Sequence, residues 1–156
     1  MGLFSFLKGA GAKILDNKEE EAVKTKKPGE SDAVKQAAMM RAVQALNLPV
    51  KNLSIDVNDD TVTVYGQAET QTAKELVILT LGNNMGVSTV DDRISVIRPE
   101  LEATFYEVKK GDSLSKIAKE HYGDAMKYNS IFEANKPMLK DPNLIYPGQV
   151  LRIPKL

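Results

Sequence analysis

The chain has no cysteine, no tryptophan and a single histidine in 156 residues. Without thiols there is no disulfide, no thiolate nucleophile and no zinc–cysteine site, and any redox compartment is compatible. Net charge is missing too: 21 Lys and Arg balance 21 Asp and Glu, so no overall basic field favours nucleic acid or anionic lipid. No apolar run approaches the roughly 20 residues that span a bilayer. Residues 1–7 are apolar, but the run is short, no basic residue precedes it, and Lys8 and Lys13 interrupt the small residues behind it; it does not read as an export signal. Met1-Gly2 fails as a myristoylation site because Phe6 stands where Ser or Thr is wanted. A cytoplasmic protein is expected. Catalytic equipment is also lacking: there is no Gly-x-Ser-x-Gly, no phosphate loop and no His–carboxylate–nucleophile set, and nothing fixes two carboxylates at a glycosidase separation. The chain reads as a non-enzyme. His121, on the inner side of a predicted helix, reads as a partly buried structural residue.

What is present is clearest in the last third. Residues 105–108 read as a short strand, and Lys109-Lys110-Gly111-Asp112-Ser113 turns it into a helix capped by Asp112 or Ser113. Leu114, Ile117, Ala118, His121 and Tyr122 keep the one-face spacing of that helix, which ends at Gly123. A second helix offers Met126, Tyr128, Ile131, Phe132 and Ala134 for burial, with Pro137 as its limit. Tyr146-Pro147-Gly148 is a turn, and residues 150–154 close the unit as a strand in which Val150, Arg152 and Pro154 alternate with Leu151 and Ile153.

The pattern Tyr106-x-Val108-x-x-Gly111-Asp112-Ser113-Leu114-x-x-Ile117-Ala118, then Ile131-x-x-Ala134-Asn135, then Ile145-x-Pro147-Gly148-x-x-Leu151-x-Ile153-Pro154 closely resembles the LysM domain. The resemblance implies a βααβ unit that holds N-acetylglucosamine chains of peptidoglycan in a groove between two loops. Here those loops carry Gly111, Asp112, Ser113 and Leu114 on one side, and residues 141–145, including Asn143 and Ile145, on the other. Gly111 to Ser113 would be needed as a turn and cap even if no sugar ever bound.

Ahead of this unit the chain divides into an amphipathic opening (1–16), a charged linker (17–30), a domain (31–98) and a junction (99–104). The opening reads as a short helix docked on the next domain, as a membrane-surface helix, or as a loop over residues 8–13, where Gly9 and Gly11 leave carbonyl oxygens unobstructed. Ser31 or Asp32 caps a helix with Val34, Ala37, Ala38, Ala42, Ala45 and Leu46 near one face. Strands follow over residues 53–57 and 61–65 around an Asn58-Asp59-Asp60 turn. A helix over 70–81 presents Ala73, Leu76, Val77 and Thr80, and Gly82 and Asn83 stop it. A last strand reaches Ile97. With Ile55-x-Val57, Val62-x-Val64-x-Gly66 and Gly86-Val87-x-x-Val90-Asp91-Asp92-x-Ile94-x-Val96, this αββαβ order resembles the BON domain. The fold class expected is α+β, with two small domains.

Asp56-x-Asn58-x-Asp60 looks like the start of a calcium loop, but Thr61 replaces the turn glycine and Gln67 stands where the bidentate Glu belongs. Solvated turn chemistry is the better reading, and Asp91-Asp92 likewise reads as a solvated strand edge.

A Met-Gly-Leu-Phe start followed by BON and then LysM, with no export signal, resembles the family of bacterial cytoplasmic potassium-binding proteins. The resemblance extends through Phe132-Glu133-Ala134-Asn135-Lys136-Pro137-Met138-Leu139-Lys140 and Ile145-Tyr146-Pro147-Gly148-Gln149. It implies a monomeric K⁺ sensor or buffer whose LysM domain stabilises the whole. Main-chain carbonyls can replace the water shell of this large monovalent ion. The resemblance implies ligating carbonyls at Leu7, Ala10, Ala12 and Leu15, faced by Gly82 and Asn84. Residues 82–86 would otherwise only end a helix and start a strand. Two rival functions stay open: peptidoglycan binding through the LysM groove, and an adaptor role for Leu3, Phe4, Phe6 and Leu7 against a partner or membrane.

Overall fold

The computed structural model describes residues 2–6, 28–84 and 86–155. It is α+β. Strand β1 (Gly2–Ser5) is followed by helix α1 (Pro28–Gln44), strands β2 (Val50–Asn58) and β3 (Thr61–Thr70), helix α2 (Gln71–Gly82) and strand β4 (Thr89–Arg98). The four strands form one sheet in the order β1-β4-β3-β2. β3 and β4 run parallel, as a helical crossover requires, and the outer pairs are antiparallel. Period-two alternation sends Ile55, Val57, Val62, Val64, Val90 and Ile94 to the buried face, and leaves Asp56, Tyr65 and Arg93 exposed.

The opening segment departs from the helix read in its sequence. Residues 2–5 are a strand, paired with β4 in the register Gly2↔Asp92 to Ser5↔Thr89. An apolar run this short has no helical period to read, and the open edge of β4 decides its form. α1 starts at Pro28, inside the span read as linker; a missing N–H is harmless in a first turn. Its buried residues are Ala38, Met39 and Val43, while Ala37 and Ala45 are exposed. Alanine is small enough to sit on either face, so the two larger side chains, four residues apart, set the rotation.

The second unit comprises β5 (Thr104–Glu107), α3 (Leu114–Tyr122), a 3₁₀ turn (Ala125–Lys127), α4 (Tyr128–Ala134) and β6 (Val150–Ile153). β5 and β6 pair antiparallel, with Tyr106 opposite Leu151. Leu114, Ile117, Ala118, Ile131, Leu139 and Leu151 make its core. Met126 is 75% exposed: the expected second helix is broken, because Asp124 caps a separate turn through the Met126 N–H at 2.9 Å. His121 is exposed rather than partly buried; it lies past the end of that core, edge-on to the Tyr106 ring at 5.2 Å.

The two units share an interface along α2. That helix is buried on nearly every side, wider than the single stripe of Ala73, Leu76, Val77 and Thr80, because one side packs on the sheet and another meets β6. All of Val150–Ile153 is buried, so the alternation expected of this strand disappears. Arg152 reaches into α2 and donates from Nε to Glu75 Oε2 at 3.0 Å and from Nη1 to Ala134 O at 2.8 Å. Glu75 Oε1 accepts the Ala103 N–H at 2.9 Å, which ties the junction to the same point. Asp92 is buried, not solvated: it pairs with Lys74 at 2.9 Å and accepts the Ile94 N–H. Strand β1 covers the edge next to it, which the sequence pattern of β4 alone does not show. Every buried side-chain nitrogen or oxygen among the described residues has a partner, the condition under which buried charge is tolerated.

Candidate functional site

The turn after α2 is assembled by its own side chains. Thr70 opens the helix by accepting the Ala73 N–H at 3.1 Å. At the other end the Asn83 N–H bonds Leu79 O at 2.9 Å. Asn84, 2% exposed, folds its amide back onto Thr80 O at 2.8 Å and Leu81 O at 3.1 Å, which satisfies carbonyls that a helix end leaves unpaired. Its own carbonyl accepts the Val87 N–H at a long 3.3 Å; a carbonyl oxygen has two lone pairs, so acceptor capacity remains. Gly86 has φ +93° with open space where a Cβ would stand; backbone conformation, not crowding, explains the glycine. The turn therefore offers main-chain oxygens at the negative end of a helix dipole, which favours a cation.

Gly82 is selected by space. The Phe6 ring lies on it, and a Cβ would stand 2.0–2.2 Å from three ring atoms. Phe6 is also held by its N–H, which donates to Ser88 O at 2.8 Å. Phe6 is the last described residue of the opening segment. Leu7, Ala10, Ala12 and Leu15 are outside the described residues. Gly82 and Asn84 are brought to one turn, both buried, with Asn83 between them.

The LysM-type loops are organised separately. Gly111 has φ +88° with nothing near its virtual Cβ. Asp112 Oδ2 accepts the Tyr106 hydroxyl at 2.6 Å and the Lys109 N–H at 2.9 Å. These two bonds hold its carboxyl below the usual carboxylate range, and the same contact with Asp112 pushes the Tyr106 phenol up to about 12. Ser113, not Asp112, caps α3, accepting the Lys116 N–H at 3.2 Å. Leu114 is buried. Asn143 is exposed in a turn built on Asp141, and Ile145 packs on the second core. Among the described residues no hydrogen bond joins these two loops. The second loop instead faces the other unit: Tyr146 donates to Asn83 O at 3.3 Å, and with Leu144 and Met138 it borders a cavity of about 380 Å³ beside Asn83 and Asn84. Burial raises the Tyr146 pKa.

A model of the LysM domain matches residues 106–154. Over 99% of both chains, the sequence is 42% identical to the "Potassium binding protein Kbp" of Escherichia coli O6:H1. The chain belongs to the Kbp family. It is also 57% identical, over 33% of its own length and 19% of the other's, to an uncharacterized protein of Deinococcus radiodurans. The match to Kbp takes in both units and the opening segment.

Sequence reading identified the 82–86 turn from its glycines but missed Asn83, Tyr146, Phe6 and the Glu75–Arg152 pair. Asn83, Tyr146 and the Glu75–Arg152 pair act across the interface between units, and Phe6 packs on a residue 76 positions away in the sequence; no local period or spacing carries a signal for either. Asn83 stood in plain view only as a helix stop. Among the described residues no group of three His, Cys, Asp or Glu is placed to hold a metal ion, and no helix is long and apolar enough to cross a membrane.

Proposed function

We propose that this chain binds potassium as a cytoplasmic sensor or buffer, using main-chain oxygens of Leu7, Ala10, Ala12 and Leu15 together with those of Gly82 and Asn84. The observation that carries the reading is the packing of Phe6 on Gly82. In the sequence the glycine-loosened segment follows Phe6 directly, and the turn beneath the Phe6 ring carries its carbonyls at the negative end of α2. Neutral oxygens suit a weakly hydrated monovalent ion; carboxylates would favour smaller or divalent ones. The activity is binding, not catalysis. The 42% identity to a protein named for potassium binding supports the same ligand.

Titration calorimetry with K⁺ and Na⁺ tests this. Saturable heat with K⁺ and none with Na⁺ is expected. Equal behaviour of the two ions would sink the reading. The LysM domain supports a second role, since its Gly111–Ser113 turn is largely exposed and takes no part in the contact with α2. Co-sedimentation with insoluble peptidoglycan tests that role separately.

A further inference from the structure

Asn83 lies between the two residues assigned to the ion, yet its side chain faces the other way. It is 7% exposed. Its Nδ2 donates to Val150 O at 2.8 Å and its Oδ1 accepts the Val150 N–H at 2.8 Å. One amide therefore meets both main-chain groups of a single residue, as a neighbouring strand would. The LysM domain repeats the device two residues along. Asn135 donates to Arg152 O at 2.9 Å and accepts the Arg152 N–H at 2.8 Å. Together the two asparagines occupy the edge of β6 that β5 does not pair. One clasp is internal to LysM; the other is supplied by the ion-facing turn. The main chain of Asn83 is engaged as well, its N–H with Leu79 O and its carbonyl with the Tyr146 hydroxyl.

We infer that Asn83 is a positioning residue for the ion site: by gripping Val150 it sets the direction of the Gly82 and Asn84 carbonyls, so docking of LysM and ion affinity are two sides of one equilibrium. The inference rests on the potassium reading above. The reason is geometric. A peptide plane is rigid, so rotation about the Asn83 backbone re-aims the Gly82 carbonyl on one side and swings Asn84, with its carbonyl, on the other. With both amide bonds made, that rotation requires breaking two buried hydrogen bonds, each of which leaves an unpaired group. Coupling of this kind is reciprocal. A grip that favours the ion must be tightened by the ion.

The test compares Asn83→Ala with Asn135→Ala, which removes the matching pair of bonds inside LysM and serves as the purely structural control. K⁺ affinity is measured by calorimetry on the full chain at a temperature where both variants are folded. Asn83→Ala is expected to weaken K⁺ binding about tenfold, and Asn135→Ala to leave it within about twofold. Hydrogen exchange on the wild-type chain gives a second readout that needs no variant: K⁺ should slow the Val150 amide more than the Arg152 amide. If the wild type binds K⁺ and Asn83→Ala binds it equally well, or if K⁺ slows both amides alike, the inference is overturned while the potassium reading stands. If the wild type shows no K⁺ binding, the reading itself falls and takes the inference with it.

Discussion

Gly82 is where a single atom separates two outcomes. An alanine methyl would occupy the space of the Phe6 ring, which must then leave its buried seat. Gly82→Ala is expected to destabilise the fold by about 1–3 kcal/mol, the usual range for overpacking, and to weaken K⁺ binding; urea denaturation and calorimetry check the two effects. Tyr106 and Asp112 make a second prediction at this scale. Asp112 is lowered in the folded state, so its contribution is intact above the unfolded carboxylate's pKa and fades as pH falls through the lower folded value. Tyr106 moves from 10.0 to about 12; its contribution is intact below about 10 and is lost as pH rises towards about 12. In an absorbance titration Tyr122 and Tyr146, which burial raises, should ionise late, and so should Tyr106. Asp112→Asn, which removes the neighbouring negative charge, should lower the Tyr106 pKa, and a titration curve unchanged by that substitution would refute the assignment.

Elements act here mainly through what they cover. β1 contributes four residues, yet it closes the edge of β4 and sets the Phe4 ring 5.2 Å from Phe105 of β5. Phe4→Ala is expected to cost about 1–2 kcal/mol in urea denaturation, the worth of a half-buried aromatic pair. α2 is the element both units share. Its Glu75 side chain is 3% exposed and Arg152 opposite it 7% exposed, so removing one partner strands a charge away from water. Glu75→Ala is expected to lose about 3–5 kcal/mol, while the double replacement Glu75→Leu with Arg152→Met should recover most of that loss. A double variant no better than the single one would mean the contact does not act as a pair.

At the scale of the molecule, Phe6 just after β1, Val150 from LysM and the apolar residues of α2 belong to one continuous core. Heat should therefore unfold both units in one transition, with calorimetric and van't Hoff enthalpies in agreement. Two resolved transitions would show that the interface is not a true core. Potassium should raise that single transition, since an ion held only by the folded chain stabilises it by about 2.7 kcal/mol at a concentration one hundred times Kd. Melting in KCl, NaCl and LiCl at matched ionic strength reads this out, and only KCl is expected to shift it.

Much of the architecture was legible residue by residue. Alternation located β2, and Asn58-Asp59-Asp60 marked the turn into β3; Asp112 or Ser113 was read as the cap of α3, since either side-chain oxygen can accept an N–H of the first turn; Gly82 and Asn83 marked the end of α2. These are local properties, dictated by covalent geometry and by periods of two and 3.6 residues. The strand form of residues 2–5, the burial of Asp92, the all-round burial of α2 and the grip of Asn83 on Val150 were not legible. Each depends on a partner 60 or more residues away, as from Asn83 to Val150, and a polar side chain reads the same in sequence whether water or a distant peptide completes its bonds. Only the packed molecule decides which, because burial removes the water and leaves the peptide as the sole remaining partner.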